Sequence, residues 1–175
     1  MRSSRKIVIL DTSILCVWLR VPGFDRAGSD VQFWDYYRID QKLASEIASN
    51  STLVLPLATL IETGNHIAKC NGDRFEVAQR FCEVLRHSID SKHPWAAFSE
   101  QSELWNSQML AELADKWPEQ AAGKVSLGDA TIIEVANYYA KAFSNREVEI
   151  FTGDYGLKSY ERKITDASLI PRRRR

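Results

Sequence analysis

Three short runs in this chain are apolar on nearly every residue, and they constrain its fold more than any other feature. They predict strands at Lys6–Asp11, Ser51–Pro56 and Val148–Thr152. A strand with one wet face alternates apolar and polar residues. A run without alternation is buried on both faces, as in a parallel sheet covered by helices. Weaker strand patterns lie at Pro94–Phe98 and Ala167–Ile170. Between the runs, apolar residues recur at helical spacing. Leu43, Ile47 and Ala48 mark one helix, and Leu57, Leu60, Ile61 and Ala68 a second after Pro56. Phe75, Ala78, Phe81, Cys82 and Leu85 mark a third, Leu104, Leu110 and Leu113 a fourth, and Leu127 to Tyr139 a fifth. Val21-Pro22-Gly23 breaks the helix after the first strand, Asn71-Gly72-Asp73 separates two helices, Trp117-Pro118 ends the fourth helix, and Gly123-Lys124 precedes the fifth. Strands alternating with helices predict an α/β fold with a mostly parallel sheet.

The length of 175 residues suits one domain, read here as residues 1–170, followed by the basic tail Pro171–Arg175, expected to be disordered by itself. A hydrophobic share of 45% is enough for a packed core. The formal net charge is zero, so bulk charge gives no reason to expect an acidic partner, and any nucleic-acid contact must come from local basic residues. Cys16, Cys70 and Cys82 are odd in number and lack C-x-x-C spacing, which argues against a disulfide framework or a zinc site and for buried thiols in helical patterns. The apolar run after the basic N-terminus is broken by Asp11, and no run reaches transmembrane length. A soluble, cytoplasmic protein with no membrane association is expected.

The runs also deliver acids to informative places. In an open parallel sheet, ligands bind outside the carboxyl ends of the strands. Asp11 ends the first strand, and Asp154 follows the third in IFTGDYG. Glu62 sits just over one turn into a helix in LPLATLIETGNH, and Asp129 in the first turn of another in KVSLGDATIIEVA. Each is set in otherwise apolar sequence, where a carboxylate is unexpected. Each also has a plainer role open to it. Ser126-x-x-Asp129 resembles a capping box, Asp154 suits a turn, and Glu62 suits a solvated helix face. Four carboxylates on one rim would raise each other's pKa and call for a compensating cation. Oxygen-only donors favour Mg²⁺ or Mn²⁺ over zinc. Ser13 and Thr152 lie beside two of the acids as supporting hydroxyls. His66, His87 and His93 have no metal-ligand spacing, and Trp95, Trp105 and Trp117 read as core or interface anchors.

VILDTSIL, Glu62 in LATLIETGN, VSLGDATIIEVA and IFTGDYGL occur in the order found in PIN-domain nucleases, and the chain most resembles the VapC-like toxins of that family. The resemblance spans Lys6 to Ile170. It implies a three-layer α/β/α fold and a metal-dependent endoribonuclease with Asp11, Glu62, Asp129 and Asp154 as the catalytic, Mg²⁺- or Mn²⁺-binding quartet. Ser13 and Thr152 would support it. It further implies an RNA substrate, an antitoxin partner and a homodimer. Arg5, Lys6, Lys124 and Lys158 are the candidates for holding the RNA backbone. Ser99–Gly123 and the segment around Val21–Tyr37 look longer than in compact toxins of this type. Competing readings are a catalytically silent scaffold of the same fold that binds RNA or protein, a DNA flap-type nuclease, and a haloacid-dehalogenase-like phosphatase. The last needs an aspartate where Ser13 stands.

Overall fold

A computed structural model describes residues 5–168. In chain order the elements are β1 (Ile7–Leu10), α1 (Thr12–Trp18), β2 (Arg26–Gly28), β3 (Phe33–Asp35), α2 (Tyr36–Ala48) and β4 (Thr52–Val54). Then come α3 (Leu57–Lys69), α4 (Arg74–Ile89), a 3₁₀ helix (Phe98–Trp105), α5 (Ser107–Ala122), α6 (Leu127–Ala142), β5 (Val148–Phe151) and α7 (Tyr155–Ser168). The main sheet has the order β4-β1-β5, and both pairings are parallel, with Ile7 opposite Thr52 and Val148. β2 and β3 form a separate antiparallel hairpin.

β1 is fully buried and separates two cores, and its side-chain alternation assigns each residue to one of them. Val8 and Leu10 pack with Ile14 and Leu15 of α1, Leu43 of α2 and Phe81 of α4. Ile7 and Ile9 pack with Ile132, Ala136 and Tyr139 of α6 and Leu157 of α7. Helices therefore cover both faces of the sheet, which explains why the run IVIL lacks alternation. The outer edge of β5 is closed by side chains of α7. Glu161 accepts from the Ile150 amide at 2.9 Å, Lys158 donates to the Ile150 carbonyl at 3.1 Å, and the two side chains pair at 2.7 Å. Such cover prevents a bare strand edge from recruiting another chain.

Besides the β2–β3 hairpin, which the sequence reading did not anticipate, the structure departs from it in four places. Pro94–Phe98 is not a strand. It gives one bridge, between Trp95 and Leu53, before the 3₁₀ helix begins at Phe98. The fourth helical pattern is split into that 3₁₀ helix and α5, with Asn106 capping α5. Pro118 lies inside α5, which continues to Ala122. Proline removes one backbone donor and crowds the preceding turn. It is tolerated because α5 buries none of its residues, so the Ala114 carbonyl that loses its partner faces water. Finally, Ala167 and Ser168 belong to α7 rather than a strand, and the rest of that stretch, with the arginine tail, lies outside the described residues. Cys16 and Cys70 are buried and Cys82 is half-buried, all as free thiols. Among the described residues, no helix is long and apolar enough to cross a membrane.

Candidate active site at the acidic rim

Asp11 begins where β1 ends. Its backbone amide still pairs with Phe151 of β5 at 3.1 Å, but its side chain turns to cap α1. It is 6% exposed, so each of its oxygens needs a partner. Ser13 Oγ donates to Asp11 Oδ2 at 2.6 Å and Thr152 Oγ1 donates to the same oxygen at 2.8 Å. Those two bonds leave Oδ1 for another partner. Both supporting hydroxyls expected from the sequence thus reach Asp11. They also tie it to the turn after β5. The Gly153 amide donates to Ser13 Oγ at 3.2 Å, and the Asp154 amide to Thr152 Oγ1 at 2.9 Å.

Asp154 itself is exposed, and its Oδ1 accepts from the Leu157 amide at 2.9 Å, capping α7. Asp129 is half-buried in the first turn of α6, where its amide donates to Ser126 Oγ at 3.0 Å. Burial raises the Asp129 pKa above the ordinary aspartate value. The nearby charges of Asp11 and Asp154 raise it further, against hydrogen bonds from Ser126 that lower it. Glu62, in the second turn of α3, accepts from Thr12 Oγ1 at 2.8 Å. Its carboxylate also lies against Gly128, where a Cβ would collide with Glu62 Oε1. The four acids, drawn from four segments, therefore face one rim at the carboxyl ends of β1 and β5.

The plainer roles are real as well. Asp11 and Asp154 cap helices, and Asp129 stands at N3 behind Ser126. Magnitudes decide whether that suffices. Each helix start offers roughly half a positive charge. The starts of α1, α6 and α7 together supply about +1.5 against four carboxylates, so capping leaves the rim strongly negative. Among the described residues none of the four acids forms an ion pair. Nor are three His, Cys, Asp or Glu side chains, among those residues, grouped closely enough to hold one ion directly. A donor set of carboxylates and hydroxyls nevertheless fits a hard cation that keeps several waters and meets some ligands through them.

The sequence reading missed three contributors. Thr12 orients Glu62, Thr59 Oγ1 donates to the Leu10 carbonyl at 2.8 Å just before Asp11, and Gly128 makes room for Glu62. Thr12 sits inside the DTS motif and could have been flagged there. Thr59 and Gly128 act across elements and carry no local signal. Cys16 lies close enough to Asp11 and Glu62 for both to raise its pKa, but burial dominates and pushes it up to about 12. A thiol held protonated in this way is no nucleophile.

The four basic candidates are scattered. Lys6 lies before β1, at the opposite end of that strand from Asp11, about 16 Å away at roughly 3.3 Å per residue. It faces Glu149 and Glu147 at 3.5 Å each. Lys158 pairs with Glu161 and lies 3.5 Å from Glu149. Both lysines are thereby engaged in neutralising acids of the domain. Arg5 and Lys124 are exposed and, among the described residues, form no ion pair. Lys124 stands two residues before the α6 cap with a left-handed backbone, φ 66°. Comparison with protein-family models, curated proteins and solved structures found no match.

Proposed function

We propose that this protein is a metal-dependent endoribonuclease of the PIN-domain type. The observation that carries the reading is the rim itself: four carboxylates from four segments, without a cationic side chain among the described residues to pair them. The motif order in the sequence supplies the reaction class. Asp11 and Asp129 are the principal ligands, and Glu62 and Asp154 complete the set or orient the attacking water. Bound Mg²⁺ or Mn²⁺ would supply a hydroxide at neutral pH and neutralise charge on the leaving oxygen. Ser13 and Thr152 fix Asp11, and Thr12 fixes Glu62, so the carboxylates meet the substrate preorganised. In the toxin form of this reading, an antitoxin covers the acidic rim, and a homodimer is the working assembly.

The test is metal-dependent turnover of single-stranded RNA, DNA and a small phosphate ester, each with Mg²⁺, Mn²⁺ or EDTA. Cleavage of RNA that EDTA abolishes is expected. Equal RNA cleavage in EDTA would sink the metal reading, and no cleavage of any substrate would favour the silent scaffold.

Two further results are expected. The folded state holds a proton on Asp129 more tightly than the unfolded chain does, because its pKa is raised. Without metal, this group therefore costs stability as pH rises through the window above the ordinary value of 3.8. Metal binding must displace that proton, so Mn²⁺ affinity measured by calorimetry should rise with pH above the ordinary value of 3.8, and Asp129→Asn should flatten the trend. Gly128→Ala replaces a poor helix former by a good one in the first turn of α6. Its Cβ nevertheless collides with Glu62 Oε1. The expected variant is folded by circular dichroism but binds Mn²⁺ more weakly. Unchanged Mn²⁺ affinity would remove Glu62 from the site.

A further inference from the structure

We propose that the groove between the β2–β3 hairpin and α2 is a nucleotide subsite that holds single-stranded RNA beside the acidic rim. The proposal rests on the ribonuclease reading for the reaction, though its binding test does not. The groove has a volume of about 610 Å³ and is lined in part by Gln32, Phe33, Trp34, Arg38, Gln41 and Lys42. The Phe33 ring, two carboxamides and a guanidinium are groups that stack on a base, read its edge and hold a phosphate, while Trp34 anchors the groove to the core.

Arg38 is the cation available for that phosphate. Its guanidinium lies 4.8 Å from the centre of the Phe33 ring, and Nη1 donates to the Phe33 carbonyl at 2.8 Å. Among the described residues it forms no ion pair. Lys42, by contrast, is occupied by Glu46 at 3.1 Å and Glu149 at 3.0 Å. The acids close by are also engaged. Asp30 pairs with Arg26 at 2.6 Å, and Asp35 accepts from the Arg38 amide at 2.9 Å to cap α2. Arg38 is thus the cation of the groove that no carboxylate pairs among the described residues.

Its position joins it to the rim. Gly28 pairs with Phe33 across the hairpin, about 5 Å away. Gly28 and Ala27 pack so closely on Gly153 that a Cβ there would lie 2.6 Å from the Gly28 amide nitrogen. Gly153 immediately precedes Asp154, and Tyr155, 83% exposed, follows it. The hairpin thus links the groove to the turn that carries Asp154. Trp34 packs edge-on against Phe151, 4.8 Å between ring centres, so Phe33 is the ring that meets a base. Only an unpaired base offers it a free face, which selects single strands over duplex.

The test is fluorescence anisotropy of a labelled ten-nucleotide oligouridine with the full chain in EDTA, so that no cleavage intervenes. Arg38→Gln and Phe33→Leu should each weaken binding roughly tenfold, the size of one stacked base or one charge-assisted contact. A duplex of the same length should bind far less tightly. Photo-crosslinking of 4-thiouridine RNA to the unaltered protein should label the segment from Val31 to Gln41, which guards against a folding defect in the variants. Wild-type affinity in both variants, adducts confined to other segments, or equal duplex binding would overturn the proposal. Groove-dependent binding without any metal-dependent cleavage would uphold the subsite and sink the ribonuclease reading alone.

Discussion

Asp11→Asn should abolish Mn²⁺-dependent RNA cleavage, by about 100-fold or more, while leaving the fold intact. The substitution keeps the shape of the side chain and one carbonyl oxygen. Ser13 and Thr152 donate to a single oxygen of Asp11, so an amide oxygen can still accept both. What the variant loses is the negative charge. A metal contributes several kcal/mol of charge stabilisation to phosphodiester hydrolysis, and about 1.4 kcal/mol corresponds to each tenfold in rate. The check is turnover of a quenched RNA substrate by the variant, purified beside the wild type, with thermal melting to confirm the fold. Wild-type turnover in the variant would remove Asp11 from the reaction. A large drop in melting temperature would instead make Asp11 a structural cap first and a ligand second.

Glu149→Ala should produce a large loss of stability without touching the rim. Glu149 is 8% exposed in β5 and is surrounded by Lys42 at 3.0 Å and by Lys6 and Lys158 at 3.5 Å. Burial alone would raise its pKa, but the three lysines, Lys42 foremost, hold it below the usual glutamate value. Removing one partner of a buried pair costs about 3–5 kcal/mol because the other charges are left uncompensated. The lysines here are partly exposed and can turn toward water, so about 2–3 kcal/mol is expected. Denaturant unfolding at pH 7 measures it. The sign with pH follows from the lowered pKa. The contribution of Glu149 is fully present above the ordinary value of 4.5 and is lost as pH falls through its folded pKa. The wild type should therefore lose stability below about pH 4.5, and the Ala variant should lose less. Asp129 opposes this trend in the metal-free protein, since its pKa is raised. A steeper acid loss in Asp129→Asn than in wild type would show the two slopes separately.

Glu149 also shows where sequence reading falls short. The reasoning that singled out Asp11, a carboxylate in an apolar strand, applies equally to Glu149 in VEIF. Its neutralising lysines come from before β1, from α2 and from α7, and no local pattern announces that they meet. The same distance in sequence hid Thr59, which lies 49 residues from the Leu10 carbonyl it serves, and Gly128, whose missing Cβ leaves room for Glu62. The hairpin was invisible for a different reason. β2 and β3 are three residues each, with little apolar periodicity, and they exist because they pack on α1, α2 and the Gly153 turn.

The sequence by itself determined the α/β class, the parallel character of the sheet, and the positions of Asp11, Glu62, Asp129 and Asp154 at strand ends and helix starts. Those are properties of local periodicity, and hydrophobic burial enforces them wherever the chain goes. Only the tertiary structure decided which side chains face one another. It brought the four acids to a single rim and drew Ser13 and Thr152 onto one oxygen of Asp11. It also turned Lys6 and Lys158 toward buried acids of the domain. Contacts between segments far apart in the chain depend on how the elements pack, and that is fixed by the joint shape and charge of both cores.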